Sequence, residues 1–336
     1  MAKEKKYRLG IVADLSPNGS VHQQTFIRAV NAAAEDLDFA KNGIELVWEN
    51  DEAKEAGGKR SSRILVKKGV DCVMGHYASG AARGALPQYE KKKIPLLLPA
   101  ATADSLTADY HSALRICSKD SDLALFIISE LKKRKIYALY IEHDDSVHGH
   151  SLAGDLSARL SREKKCSIHR NIQDAEHVIY VGTYLNSIAF AQRIQHAPGK
   201  VKNIFFTDDV VHKNLVSALG PVSLKIFVFG ADDQPDNPAA AVCAGKYEKK
   251  WKSKPNTYYF ETYSAMQVAD QLFKKVTKQP TEALLETAYR YKWNTVLGSF
   301  RFTPEGENKM KHYALWVLRK NGLKKEKTKT RNRLIQ

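Results

Sequence analysis

Val70-Asp-Cys-Val-Met74-Gly75-His-Tyr-Ala-Ser79-Gly80 is followed by Ile94-Pro-Leu-Leu-Leu98-Pro99-Ala100-Ala101-Thr102-Ala103. Twice in succession an apolar run ends in turn-forming residues and then a small hydroxyl. Runs of this kind, bounded by turn signals, predict buried strands. Ser79 and Thr102 then lie just past the C-terminal ends of two successive strands. In an open α/β sheet, ligands bind in the crevice outside those ends. Hydroxyls beside the free N–H groups of helix starts suit a small carboxylate. The pattern predicts a site that holds a small anion or zwitterion rather than one that makes or breaks bonds.

The same alternation extends in both directions. Arg8-Leu-Gly-Ile-Val-Ala13 predicts a first strand, and Asp14 to Gly19 a loop rich in turn formers. Ser20 and Gln23 have capping-box spacing. Phe26, Ala29, Val30, Ala33 and Leu37 recur with a helical period, and Ile44-Glu-Leu-Val-Trp48 predicts the next strand. Helices over 56–68, 81–90, 121–134, 151–160 and 186–195 are interleaved with strands at 70–74, 94–98, 136–141, 178–181 and 203–206. Strand and helix in strict alternation predict parallel sheets with helices on both faces. About four strands before residue 120 and three or more after it suit two doubly wound lobes. Further on come Phe227 to Gly230, helices over 239–251 and 262–276, and two strand-like runs at 300–302 and 313–318 around the turn Thr303-Pro-Glu-Gly306.

With 336 residues the chain has room for two cores. Its 53 Lys+Arg against 37 Asp+Glu leave a net charge of +16. A basic balance raises the question of nucleic acid, which would show as steeply salt-dependent binding. Here the basic residues are dispersed, none is interleaved with stacking aromatics, and no nucleic-acid-binding motif is present. The reading is solvated helix faces plus a basic tail, with no nucleic-acid partner. Cys72, Cys117, Cys166 and Cys243 form no C-x-x-C pair and force no disulfide. No run of eighteen apolar residues is present, so no membrane span is expected.

Signatures of catalysis are missing. There is no G-x-S-x-G elbow, no Walker A loop, and no G-x-G-x-x-G after the first strand. The expectation is a non-enzyme with no cofactor. His143, His148 and His150 with Asp144 and Asp145 sit in a loop without metal-ligand spacing, so no metal is expected.

Several segments, taken in order, resemble the type I periplasmic binding proteins of the leucine/isoleucine/valine-binding kind, the substrate-binding proteins of ABC transporters. They are Gly10 to Pro17, Asn50-Asp51, Leu65-Val66, Gly69 to Gly75, Ile94 to Thr102 with Leu106-Thr107, Asp145-Ser-Val-His148-Gly149, Thr262 to Ala265, and Leu297 to Gly306. The resemblance implies an α/β fold of two doubly wound, Rossmann-like lobes joined by three crossovers, with ligand held between lobes that close by hinge motion. It places lobe one at 1–119 plus 232–298, lobe two at 120–231 plus 299–323, and a basic tail at 324–336. The chain departs from the family between Cys166-Ser-Ile-His169 and Val178, where Arg170 to His177 are too few for the usual helix. Lobe two is therefore expected to be trimmed.

The resemblance also implies a site. Ser79 and Thr102 match the hydroxyls that bind a ligand α-carboxylate, and Ala100 matches a backbone contact. A buried α-ammonium needs an acidic partner. Asp209 falls where the family places it, with Asp208 as the register alternative. Tyr184 matches an aromatic wall, and His148 replaces a usual tyrosine, which makes the wall more polar. Competing structural readings stand beside these. Ser79 and Thr102 could cap helices, Asp209 could cap a helix starting near His212, Tyr184 could be ordinary packing, and His148 a surface histidine.

The expected function is a receptor for a small amino-acid-like ligand that works with an ABC permease. The segment Met1-Ala-Lys-Glu-Lys-Lys6 has no apolar h-region. Resemblance places the protein in the periplasm if an export segment was removed. The alternative is a cytoplasmic sensor of the same fold, similar to the amide-sensing regulators, with a protein partner.

Overall fold

The computed structural model describes residues 6–17, 19–232, 237–276, 282–310 and 312–326. Lobe one is built on a parallel sheet of β1 (Tyr7–Ala13), β2 (Ile44–Asn50), β3 (Cys72–Gly75), β4 (Leu96–Leu98) and β5 (Ala113–Arg115), in the order β2-β1-β3-β4-β5. Between them run α1 (Gln23–Asp36), α2 (Glu55–Lys67), α3 (Ser79–Lys92) and the short α4 (Ser105–Ala108). Successive β1 side chains point to opposite faces. Leu9 and Ile11 join the core under α1, while Val12 packs with Leu65 of α2 and Leu86 of α3. This two-sided burial is why these strands read as continuous apolar runs. The fifth strand, Ala113–Arg115, was not among the four expected because three residues carry too little pattern. The expected capping box does not form: His22 is the N-cap of α1, and Gln23 Nε2 donates instead to the carbonyls of Asp14 and Ser16.

Lobe two comprises α5 (Asp120–Lys133), β6 (Ala138–His143), α6 (Val147–Ser161), β7 (Ser167–Ile168), β8 (His177–Val181), α7 (Tyr184–His196), β9 (Asn203–Phe206), α8 (Leu215–Leu219) and β10 (Lys225–Ala231). A single 3-10 turn, Ile172–Asp174, stands between β7 and β8 where a helix would lie in the family pattern. Arg193 of α7 pairs with Glu142 of β6, its guanidinium 5.0 Å over the Phe190 ring.

The chain then returns to lobe one with α9 (Pro238–Trp251), α10 (Tyr259–Lys275), α11 (Glu282–Arg290) and a hairpin of β11 (Trp293–Thr295) and β12 (Gly298–Phe300). The expected lobe boundary at 298/299 cuts through this hairpin. Phe300 and Phe302 are buried in the lobe-one core with Trp293, so lobe one keeps the chain beyond that point. Glu307 then pairs with Arg115 at 3.0 Å, and Asn308 Nδ2 donates to the carbonyls of Arg115, Ile116 and Cys117. Gly306 lies at φ +78, and a Cβ there would stand 2.1 Å from the Ala113 carbonyl oxygen, which requires glycine at this crossing.

Finally β13 (Tyr313–Arg319) and β14 (Gly322–Lys325) complete the lobe-two sheet, in the order β14-β13-β10-β9-β8-β6-β7. Both pair antiparallel, so this sheet is mixed and not parallel throughout as expected. Lys324 and Lys325 belong to β14 rather than to a tail; residues 327–336 lie outside the described residues, as do 233–236.

Candidate functional site between the lobes

Each lobe has one topological switch point. In lobe one, chain order reverses between β1 and β3; in lobe two, between β6 and β8. The strand ends at such a point leave a crevice open to a ligand. The two crevices face each other. One is rimmed by the Asp14–Ser20 loop and by Tyr77 to Ser79; the other by Ser146 to His148 and Thr183-Tyr184, with Asp208 and Asp209 following β9.

The result is one cleft with two adjoining compartments that share Ala53, Tyr77, Ala78, Thr183 and Asp209. The smaller, about 330 Å³, holds Ser79, Ala100, Thr102, His148 and Asp208 in its wall. The larger, about 480 Å³, is walled by Val21, Phe26, Tyr77 and Tyr184, with His22 and Gln23 as polar neighbours. All six residues singled out from the sequence therefore border this cleft.

Their partners differ from the simplest expectation. Ser79 does not cap α3, whose N-cap is Ala78; its Oγ accepts the Ala103 N–H at 3.3 Å. Thr102 Oγ1 lies 3.2 Å from His148 Nδ1, a bond across the lobes. His148 is not a surface residue. Its Nδ1 is 3.0 Å from Asp120 Oδ1, and its Nε2 is 3.3 Å from Asp208 Oδ1 and 3.5 Å from Thr207 Oγ1. Burial by itself would lower the imidazole pKa, but Asp208 and Asp120 outweigh it and raise it to about 10. His148 is thus an imidazolium at neutral pH. Asp120 is correspondingly held low against the effect of burial, mainly by His148. Asp208 moves the other way because burial dominates there, and its Oδ2 accepts the hydroxyl of Tyr258.

Asp209 caps a helix, though not the one near His212. Its Oδ2 accepts the N–H of Tyr184, the first residue of α7, at 2.5 Å. Its Oδ1 meets His22 Nε2 of lobe one at 3.0 Å. His22 is 1% exposed; burial opposes its charged form, and Asp209 outweighs burial and raises its pKa. Asp209 is lowered in turn, chiefly because His22 overcomes the effect of burial. His212, edge-on to His22 at 5.7 Å, is driven down to about 3 by burial and by that neighbouring charge. Tyr184 is both packing and wall: it belongs to the lobe-two core and borders the larger compartment.

Sequence reasoning did not single out His22, Asp120 or Tyr258. His22 carried one signal, its place right after the first switch loop. Tyr258 enters from a distant segment at φ +64, where no periodic pattern marks it. Beneath the lobe-one rim lies a further unforeseen group. His76 bridges Asp51 Oδ2 and the Tyr89 hydroxyl, each at 3.0 Å, and all three side chains are fully buried. His76 directly precedes Tyr77, so this chain fixes the loop that carries Tyr77 and Ser79. Gly75 before it lies at φ +134, and a Cβ there would stand 1.9 Å from the Val12 carbonyl oxygen.

These two facing switch points define a two-lobed binding protein, and comparison with known proteins agrees. The sequence profile of a family described as periplasmic binding protein matches residues 6–164. The Leu/Ile/Val-binding protein homolog 2 of Brucella abortus is 24% identical, over 93% of this chain and 90% of its own. In sequence and fold the chain is similar to the type I periplasmic binding proteins of the Leu/Ile/Val-binding kind. Among solved structures, a leucine binding protein, LivK, of Thermotoga maritima superposes with TM-score 0.82 at 15% identity, covering 96% of this chain and 98% of its own. A solute binding protein of R. palustris in complex with benzoate gives TM-score 0.82 at 13% identity, covering 96% and 95%. At such identities the two structures speak for the fold alone.

Proposed function

We propose that this protein binds a small amino-acid-like carboxylate in the interlobe cleft, as the substrate-binding receptor of an ABC-type transporter. One observation carries the reading. Ser79, Ala100 and Thr102 of lobe one and His148, Tyr184 and Asp209 of lobe two border a single cleft formed by both switch points. A ligand touching both walls gains contacts only when the lobes are together, so it favours the closed arrangement. The hydroxyls of Ser79 and Thr102 are the carboxylate donors, and the larger compartment takes the ligand's body. The similarity to Leu/Ile/Val-binding proteins supports a small carboxylate ligand. The protein acts by binding, with a permease as its partner and the periplasm as its place of work.

The test is a thermal-shift screen of the purified chain against α-amino acids, their amine-free analogues and small amides. A ligand that binds only the folded state adds about 2.7 kcal/mol of stability at a hundred times its Kd and so raises the melting temperature. A shift with a carboxylate that disappears in Thr102→Val supports the reading. A shift unaffected by changes at Ser79 and Thr102 places the site elsewhere, and no shift with any compound rejects it.

A further inference from the structure

Resting on the receptor reading, we propose that the ligand is a basic amino acid, one whose side chain ends in a second cationic group, and that this group lodges in the larger compartment beside Asp14. The chain as a whole carries +16, from 53 Lys+Arg against 37 Asp+Glu. The cleft has the opposite sign. Among the described residues no lysine borders either compartment, and the one arginine there, Arg83, is paired with Glu55 at the rim. Asp14, Asp145, Asp208 and Asp209 join Glu55 in the walls, and only His22 and His148 join Arg83. Carboxylates stay in excess even with both imidazoles counted as charged. A cleft lined by one sign of charge concentrates its field on the ligand inside. A neutral zwitterion leaves that excess unanswered. A ligand with two cations and one carboxylate answers it.

Two positions stand open for those cations. The first is Asp208, 5% exposed, in the wall of the smaller compartment. Its Oδ2 accepts the Tyr258 hydroxyl, but its Oδ1 is buried without a hydrogen-bond partner. His148 Nε2 approaches that oxygen to 3.3 Å, yet His148 is shared with Asp120, so the three groups together keep a negative charge. A buried acceptor without a donor is costly. An α-ammonium beside Ser79 and Thr102 supplies the donor. The second position is Asp14, on the loop that follows β1. Its oxygens accept the N–H groups of Ser16 and Ser20 at 3.1 and 2.8 Å, which fix the carboxylate, and it has no cation partner among the described residues. Each carboxylate oxygen has capacity for a further donor.

The space around Asp14 suits the rest of such a side chain. Phe26 and Tyr77 of lobe one, edge-to-face at 5.6 Å, border the larger compartment together with Val21 and with Tyr184 of lobe two. Apolar surface takes a methylene stem whose charged head lies elsewhere. Aromatic rings attract a cation through their faces. His22, the one basic group in this wall, is matched by Asp209 at 3.0 Å, so Asp14 is the charge left over.

Isothermal titration of the full chain at pH 7 with two matched pairs tests this directly. L-arginine and L-citrulline differ in side-chain charge at nearly equal shape; L-lysine and L-norleucine differ by the terminal ammonium. The expected result is that the charged member of each pair binds tighter than its neutral partner by about tenfold or more. A neutral member that binds as tightly as its charged partner, or more tightly, overturns this inference and leaves the receptor reading standing. Failure of all four also overturns it, and the receptor reading falls with it only if the wider screen is blank. Asp14→Asn is expected to erase most of the preference, and a preference that survives in the folded variant overturns the placement. Should Asp14→Asn not fold, wild type decides with diaminopropanoate, diaminobutanoate, ornithine and lysine. Affinity that rises with chain length puts the second ammonium in the larger compartment; affinity that stays level or falls overturns the proposal.

Discussion

His22 Nε2 of lobe one stands 3.0 Å from Asp209 Oδ1 of lobe two, and the histidine is almost wholly buried. The pair forms only while the lobes are together. Asp209→Asn or His22→Gln should therefore shift the protein toward an open arrangement, with a larger radius of gyration in small-angle scattering and ligand affinity reduced about 10- to 100-fold. The pair also carries a pH sign. His22 is raised in the closed form, so its contribution is complete below the free-imidazole value of about 6.5 and fades as pH rises through the raised value. On the acid side Asp209 is lowered, and its contribution is lost as pH falls through that lowered value. Scattering profiles across this range that match between wild type and Asp209→Asn would reject the latch.

The second histidine makes a separate prediction about folding stability. His148 titrates at about 10 in the folded protein, against about 6.5 when unfolded. The stability it provides is fully present below the unfolded value and declines as pH climbs toward 10. Urea midpoints measured from pH 6 to 10 should fall across that window, and His148→Gln should flatten the decline.

At the lobe-one wall, function and stability separate. Ser79→Ala gives up one 3.3 Å bond from the Ala103 N–H, and Thr102→Val gives up the contact to His148. Each loss costs about 1 kcal/mol of stability. Affinity should drop by about tenfold in each, since a donor to the ligand is gone. Unchanged Kd values in both would remove these hydroxyls from the site.

Tyr89→Phe probes the support beneath that wall. It leaves a nitrogen of the fully buried His76 without its hydroxyl partner, a cost of about 1–3 kcal/mol. Because His76 adjoins the Tyr77–Ser79 loop, ligand affinity should weaken too, though no atom of Tyr89 borders the cleft compartments. Loss of stability without any change in Kd would make the Asp51–His76–Tyr89 chain a core feature only.

Glu307→Gln tests the last crossover. The partner Arg115 is fully buried, so removing the carboxylate strands a guanidinium charge, a change worth about 3–5 kcal/mol. Chemical denaturation should show this directly. A variant as stable as wild type would mean the neighbouring carbonyls of Ala101 and Ala103 suffice for Arg115.

Much of this architecture could be read from sequence, for identifiable reasons. Strands buried on both faces, such as Ile204 to Phe206, announce themselves as apolar runs, and α1 shows its period through Phe26, Ala29, Val30 and Ala33. The six positions that border the cleft could be singled out because they follow strand ends or match ordered motifs. What stayed hidden depends on tertiary partners. Nothing local marks Ala113–Arg115 as an edge strand, and Phe300 and Phe302 look the same whichever lobe buries them. Nor does a lone histidine announce its titration: His22 and His148 are pushed up only because remote carboxylates converge on them, while His212 is pushed down by burial first and by His22 second.

The late return of the chain to both lobes has a consequence for synthesis. The core that holds Leu9 and Ile11 is completed by residues as distant as Phe302, and β10 gains its outer neighbour only with Tyr313–Arg319. A nascent chain that has emerged as far as Ala231 therefore has all five lobe-one strands but lacks the α10 face that covers them. Its lobe-two sheet still ends in an open edge. Such half-covered sheets attract other chains. For as long as the final third is being made, this protein depends on something other than its own sequence, a chaperone or simple dilution, to keep two unfinished sheets apart from their neighbours.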